Sequence, residues 1–276
     1  MISLIELLNM KNKDNYLVSF VISIHNASIK NLEICISSII NQTYQDIEII
    51  LIDDKNNQEL DEYLQYISKR IKNLILVRNT KNIGLTKSLI KGIKLSSGVY
   101  IARQDVDDIS NSTRVEKQIK FLKENSNVVM LGTGIKNIDF VSGTNKILLN
   151  NSKHDDLVQQ MFRVNPFCHS SVIFRKDAYI DAGGYNSKYY TTQDLDLWFR
   201  MIDYGKIAIL NEELVTRQLF PDSISKKLSI AILQVYNGAK IRLRERKRFS
   251  ERLVIIKIIY ITLRMFLATI IYDRLL

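Results

Sequence analysis

Apolar residues come in short runs through the first hundred positions, each closed by a polar turn and followed by apolar residues at helical spacing. Val18 to Ile24 reads as a buried strand, and Leu32 to Ile40 as a helix after the polar turn Asn26 to Asn31. Ile47 to Ile52 is a second run, ending in Asp53-Asp54; Leu74 to Val77 is a third and Val99 to Ala102 a fourth. Helices fit Leu60 to Ile71 and Leu85 to Leu95. Strand-like runs alternating with helices predict an α/β fold built from βαβ units around a mostly parallel sheet. In such sheets ligands bind beyond the carboxyl ends of the strands. Asp53-Asp54 and Asp105 to Asp108 both lie at such ends.

Further along, a helix is predicted near Arg114 to Asn125, and Val128 to Leu149 alternates in short strands around Gly132, Gly134 and Gly143. A helix around Asp155 to Phe162, a strand at Ser171 to Phe174, a turn at Gly183-Gly184-Tyr185 and a helix over Asp194 to Tyr204 follow. The chain has no internal repeat, and its composition shifts once, near Pro221.

At 276 residues the chain is long enough for one large domain, or one domain with an appendage. Cys35 and Cys168 sit in no C-x-x-C pair and beside no His at ligand spacing, so zinc is not expected and a reducing compartment is the default. Met1 to Met10 is apolar but interrupted by Glu6, with no basic start, and is not expected to be a signal peptide. The charge of +10 is uneven: from Asn237 to Leu276 ten basic residues face three acidic ones, a net +7.

The candidate chemistry centres on Asp105-Val106-Asp107-Asp108, directly after the strand-like run Val99 to Ala102. Hard cations take oxygen ligands, and Mg²⁺-type ions commonly bind one or two carboxylates plus substrate phosphates. An isolated D-x-D is equally a loop or helix-cap pattern, since Asp108-Ile109-Ser110-Asn111 could open the next helix.

With these pieces placed, several ordered blocks between Ser19 and Arg217 resemble the family 2 glycosyltransferases. They are Ser19 to Asn26; Ser37 to Tyr44; Glu48 to Asp54; Gly84 to Leu89; Tyr100 to Asp108; His169 to Val172; Gly183 to Tyr185; and Gln193 to Trp198. The resemblance implies a GT-A fold and an inverting, nucleotide-sugar-dependent enzyme. The chain departs from the family pattern at Ser23, His25, Ile90 and Gln193, where Pro, Tyr, Asn and Glu are common. Many relatives carry a His just after the position of Arg217, a metal ligand for which Gln218-Leu219-Phe220 has no counterpart.

The same resemblance assigns roles. Asp54 would hydrogen-bond the nucleobase, with Ser23, His25 and Asn26 flanking base or ribose and His25 as a stacking ring. The bland alternative for Asp53 and Asp54 is the capping of loop N–H groups. Lys87, one turn into its helix, would reach a pyrophosphate oxygen or lie on a solvated face. Asp107 is the direct ligand of Mn²⁺ or Mg²⁺, and Asp105 faces ribose or metal. Asp108 is assigned to support or capping, and Arg103 to pairing with these carboxylates. An inverting transfer needs a base on the far side of the donor to take the acceptor hydroxyl's proton. That role falls on Asp194, with Asp196 in reserve. Trp198 is an acceptor platform or a core residue, and His169 orients a loop.

The division expected is a lead segment over 1–16, a GT-A catalytic domain over 17–218 and basic, amphipathic C-terminal helices over 219–276. Leu253 to Tyr272 has thirteen Leu, Ile, Val, Phe or Met residues broken by Lys257 and Arg264. On an insertion scale the apolar residues favour the bilayer by roughly 4 to 7 kcal/mol and the two charges oppose it by about 5 to 7. Spanning is marginal, and an in-plane helix with both charges at the headgroups fits better. The expectation is a peripheral enzyme on the cytoplasmic face of a bacterial inner membrane, held to its anionic surface and serving a lipid-linked glycan acceptor. The competing expectation is a helical hairpin packed on the catalytic domain or on a second copy in a homodimer. Nucleic acid is not expected, because aromatic interleaving of the basic stretch is limited to Phe249. A nucleotidyltransferase or a non-catalytic assembly partner are the rival functions.

Overall fold

The computed structural model describes residues 16–55, 57–140, 142–220 and 228–246. The lead segment apart from Tyr16, and the stretch Leu253 to Tyr272, lie outside them. The first half alternates parallel strands with α-helices: β1 (Val18–Ile24), α1 (Ile29–Ile40), β2 (Ile47–Asp53), α2 (Gln58–Arg70), β3 (Leu74–Arg78), α3 (Leu85–Leu95) and β4 (Tyr100–Arg103). After β5 (Ile109–Ser110) and α4 (Arg114–Glu124) come β6 (Val128–Asp139), β7 (Asn145–Leu148), α5 (His154–Met161), β8 (Ile173–Arg175), α6 (Lys176–Asp181) and α7 (Gln193–Met201). The long β9 (Lys206–Leu219) and the C-terminal helix α8 (Leu228–Glu245) complete the order.

All nine strands form one sheet in the order β3-β2-β1-β4-β8-β6-β9-β5, with β7 pairing β6. β1 to β4 are mutually parallel, which sends the chain after Ile24, Asp53 and Arg103 out of the same sheet edge. β8 enters antiparallel to β4 and β6, so the second half is mixed.

Alternation in the strands separates two cores. Val18, Phe20, Ile22 and Ile24 face one layer with α1, α2 and α4, through Leu32, Ile36, Leu60, Leu64, Val115 and Ile119. Val21, Ile50 and Ile52 face the other, with α3, α5, α6 and α7, through Leu89, Leu157, Leu195 and Trp198. Such period-two alternation is what a sheet covered on both faces requires. Capping sets helix starts: Ser28 accepts the Asn31 N–H at 3.1 Å and Asn57 that of Leu60 at 2.9 Å. In α2, Glu59 and Asp61 open the helix and Lys69 and Arg70 close it, matching its dipole. Gly92 allows α3 onto the sheet, since a Cβ there would sit 2.5 Å from Val21 Cγ1.

α8 is docked rather than separate. Ile241 is fully buried in the α7 core, and Val235, Asn237 and Arg242 are buried with it. Among the described residues no helix is long and apolar enough to cross a membrane.

Candidate active site

The parallel half delivers the first group of site residues. Ile24 pairs with Asp53 and Val21 with Arg103, so the ends of β1, β2 and β4 are neighbours. His25 and Asn26 are exposed just beyond β1, and Asn26 takes a left-handed φ of 53°. Ser23 is half-buried and Lys87 is exposed on α3.

Asp54 is buried and its carboxylate is engaged by the β3–α3 loop. One oxygen accepts the Ile83 N–H at 2.8 Å and Asn79 Nδ2 at 2.9 Å; the other accepts the Gly84 N–H at 2.8 Å. The bend it holds needs Gly84, whose φ is 85°. The loop in turn orients His25. Asn82 Oδ1 accepts the Gly84 N–H, which fixes its amide, so Asn82 Nδ2 donates to His25 Nε2 at 2.9 Å. His25 Nδ1 then donates to the Asp54 carbonyl at 3.1 Å. The imidazole is therefore braced, with its ring exposed at the strand end.

The Asp105–Asp108 turn rests on a buried polar platform. Arg114, wholly buried, donates to the Arg103 carbonyl at 2.9 Å, Ser110 Oγ at 2.9 Å and Gln104 Oε1 at 3.2 Å. Gln104 Nε2 donates to the Asp108 carbonyl at 3.0 Å. From β9, the Gln218 N–H reaches Asp108 Oδ1 at 3.3 Å and its Nε2 reaches the Asp107 carbonyl at 2.7 Å. Gln218, in the stretch just after Arg217, thus braces this turn.

The three carboxylates differ. Asp105 pairs with Arg103 through one oxygen and accepts Ser170 Oγ at 2.8 Å through the other. Burial alone would raise its pKa, but the Arg103 guanidinium and the Ser170 bond bring it down to about 2. Asp107 is pushed up to about 6 by burial and by the negative charge of Asp105. Asp108 is pushed up to about 8 by burial and then by both neighbours.

Across the site, α7 follows Thr192, which has a left-handed φ of 62°. Asp194 is half-buried, and its Oδ2 accepts Asn165 Nδ2 at 2.7 Å. Burial raises its pKa, its own helix N–H bonds and Asn165 oppose this, and Asp105 adds to the rise. Asp196 is different: it is fully buried and paired with Arg200 at 2.7 Å and with Arg244 of α8 at 2.8 Å. Of the two candidate carboxylates, Asp196 is sealed in the core and Asp194 is the one that reaches the surface. Trp198 is fully buried in the core, edge-on to His169 and Phe174. His169 bonds the Tyr185 hydroxyl at 2.7 Å, and burial pushes its pKa down to about 3.

Sequence reasoning had no means of finding Asn165, Asn79 or Asn82, because each acts across loops on a carboxylate or ring far away in the chain. Ser170 lies inside a block quoted for the resemblance, and its bond to Asp105 spans 65 residues.

A mixed α/β sheet flanked by helices, with acidic turns at the ends of its parallel strands, defines the GT-A class of fold. A family described as glycosyl transferase family 2 matches residues 19–183, and the chain belongs to it. The chain is 33% identical over 214 residues to the amylovoran biosynthesis glycosyltransferase AmsE of Erwinia amylovora, covering 76% of this chain and 79% of that protein. It is 34% identical over 194 residues to the putative glycosyltransferase EpsE of Bacillus subtilis, covering 68% and 67%. Among solved structures it resembles residues 1–349 of S. aureus TarS in complex with UDP, with a TM-score of 0.60 at 16% identity over 86% of this chain and 73% of that one. The same TarS fragment was solved with UDP-GlcNAc, with a TM-score of 0.62 at 14% identity over 82% and 70%.

Proposed function

We propose that the protein is an inverting glycosyltransferase that moves a hexose from a nucleotide-diphosphate donor, UDP-linked in our reading, to a growing lipid-linked glycan in surface polysaccharide synthesis. The observation that carries this reading is a pair of carboxylate groups of different character, near enough that the Asp105 charge acts on Asp194. Asp105 to Asp108 cluster at the end of β4, while Asp194 opens α7 with one oxygen held by Asn165 and the other free of it. The amylovoran assignment of AmsE and the UDP and UDP-GlcNAc complexes of TarS support the polysaccharide and the donor.

In this reading Asp194 accepts the proton of the acceptor hydroxyl as that oxygen bonds to the sugar's anomeric carbon, and the bond to the diphosphate breaks on the opposite face. The configuration inverts, and the proton ends on the Asp194 carboxylate. A carboxylate with a raised pKa is a stronger base than an exposed one, which suits the task. Asp54 shapes the loop beside the nucleobase subsite, His25 offers its ring there, and Lys87 stands toward the pyrophosphate.

The acidic turn fits a divalent cation shared with substrate phosphates. Asp105 is taken up by Arg103 and Ser170, and Asp107 is the carboxylate whose elevated pKa a cation would relieve. Among the described residues no three ligating side chains are grouped to hold an ion alone. Asp107, supported by Asp105, would hold Mn²⁺ or Mg²⁺, which would offset charge developing on the departing diphosphate. We place the enzyme at the cytoplasmic face of the inner membrane, through the basic tail beyond α8.

The test is a panel of UDP- and other nucleotide-linked sugars, with and without Mn²⁺ or Mg²⁺, on the full chain and on Asp194→Asn. Removing a general base costs ~10²–10⁴ in rate. We expect the variant to lose at least ~10² in turnover with donor affinity retained. Near-normal turnover would assign the base elsewhere.

A further inference from the structure

We propose that the C-terminal helix α8 is part of the catalytic frame, with Arg244 and Arg242 as positioning residues that fix the Asp194 carboxylate; this rests on Asp194 being the base. Helix α8 holds the segment around Asp194 at three points. Asn237 Nδ2 reaches Thr191 Oγ1 at 3.5 Å, one residue before the left-handed Thr192. Arg244 Nη1 donates to Asp196 Oδ1 at 2.8 Å, two residues after Asp194. Arg242 Nε donates to the Met161 carbonyl at 2.8 Å, at the end of α5, whose following loop supplies Asn165 to Asp194.

Two of these contacts are buried, with Asn237 and Arg242 each 8% exposed. Arg244 keeps 43% of its side chain exposed and reaches from the surface to Asp196, which is 0% exposed. Burial lowers the Arg242 pKa to about 10, and the negative charge of Asp194 opposes that drop, as expected for a cation lodged near it. Gly238 leaves room for the guanidinium, because a Cβ there would come within 2.8 Å of Arg242 Nη1. Thr192 occupies a left-handed conformation that a non-glycine residue holds only when its surroundings enforce it. Asn237 and Arg244 grip the chain on either side of that residue.

Removing Arg244 leaves Asp196 paired with Arg200, so Arg244→Met keeps a partner for the buried carboxylate. The assay is release of UDP from UDP-GlcNAc, UDP-glucose and UDP-galactose by the full chain, with amide hydrogen exchange over residues 191–196 as a readout that needs no substrate. Misplacing a catalytic group by ~1 Å costs up to ~10² in rate. We expect Arg244→Met to lower kcat about 10-fold with donor KM within about twofold. Arg244→Lys should restore most of that loss, and exchange over 191–196 should quicken in Arg244→Met without a fall in global melting temperature. Gly238→Ala, which favours the helix while crowding the Arg242 guanidinium, should lower kcat in the same way. In the Asp194→Asn background Arg244→Met should add nothing. Equal losses in both backgrounds, or unchanged exchange, would overturn the positioning role while leaving the base assignment intact. Normal turnover by Asp194→Asn alone would instead remove the base assignment.

Discussion

Asp54 is the residue at which stability and donor binding are most cleanly separable, through Asp54→Ala. The wild-type carboxylate is 1% exposed and accepts the backbone N–H groups of Ile83 and Gly84, both at 2.8 Å. Its third donor, Asn79 Nδ2, also reaches Ser88 Oγ at 3.1 Å and would keep a partner. The Gly84 N–H keeps Asn82 Oδ1 as acceptor at 2.9 Å, so the substitution orphans the Ile83 N–H alone. The expected loss is about 1–2 kcal/mol where water has partial access, a sizeable share of the ~5–15 kcal/mol that holds a typical domain together. With a urea m-value of about 3 kcal/mol/M, the unfolding midpoint should fall by roughly 0.5 M. Asp54→Asn keeps one carbonyl-type acceptor but turns an NH₂ toward the other donor, so it should fall about halfway. Urea titration followed by far-UV circular dichroism measures this, with UDP affinity taken by calorimetry on the same samples. If Asp54 acted only as a nucleobase contact, UDP affinity would drop while the midpoint stayed within ~0.1 M of wild type. That result would refute the loop-holding argument.

Chelation with EDTA should abolish transfer, and Asp107→Asn should lose most activity at unchanged melting temperature; full turnover by the chelated enzyme counts against the cation role. The acid limb of kcat/KM should lie above the ordinary carboxylate value of 3.8, because burial raises Asp194 and the base must be ionised. The linked stability term has the opposite sense: the folded state binds this proton more tightly, so the term is present at low pH and lost as pH rises through the folded pKa. A pH profile that keeps the same limb in Asp194→Asn would move it to another group. For the tail, a chain ending after Arg246 should keep donor turnover yet leave anionic vesicles, with the difference greatest at low salt because exposed charges are screened over about 10 Å at 0.1 M. Full-length protein that stays off anionic vesicles at low salt would remove the membrane reading.

The strands of the parallel half were legible because each is a short, mostly apolar run: Val18–Ile24, largely buried, is observed with the bounds its pattern predicts. Leu85–Leu95 likewise matches, since Gly84 and the polar turn before it mark the start. The antiparallel half was harder. β9 runs from Lys206 to Leu219, yet Asn211-Glu212-Glu213 interrupts its apolar pattern, and the register there skips from Leu210 to Glu213. A bulge carries polar residues mid-strand and so hides the strand from any alternation test. The strand expected from Ser171 starts at Ile173, because Ser171 N and Oγ both bond the Cys168 carbonyl at 2.9 Å in a short turn. The basic cluster was read as one surface. Arg242 instead turns into the domain and Arg244, though exposed, is tied to Asp196, leaving Lys240 exposed on the described part of α8. A helix presents about a third of its residues to its partner, and a charge count carries no phase.

The acidic turn makes little sense as a stabilising element alone. Three carboxylates stand within four residues, two of them pushed upward by burial and mutual repulsion, beside a buried Arg114 whose pKa burial lowers to about 10. A loop shaped only for the fold could place Asn or Ser at Asp107 and Asp108 and keep the Gln218 and Gln104 bonds, since those run to the Asp107 and Asp108 carbonyls and to one Asp108 oxygen. Instead Gln104, Arg114 and Gln218 hold the backbone of the turn firmly, while the carboxylate of Asp107 is left in a setting that disfavours its own charge. Rigid backbone support combined with a carboxylate whose pKa burial raises is the pattern of a candidate ligand site, and it supports the donor-site role we propose for this turn. The group that would relieve that carboxylate must be positive, must tolerate oxygen ligands and must approach from the edge where β1, β2 and β4 end. In the function we propose, a divalent cation carried with a nucleoside diphosphate would meet all three requirements, and the metal and the donor would then arrive at one site rather than two.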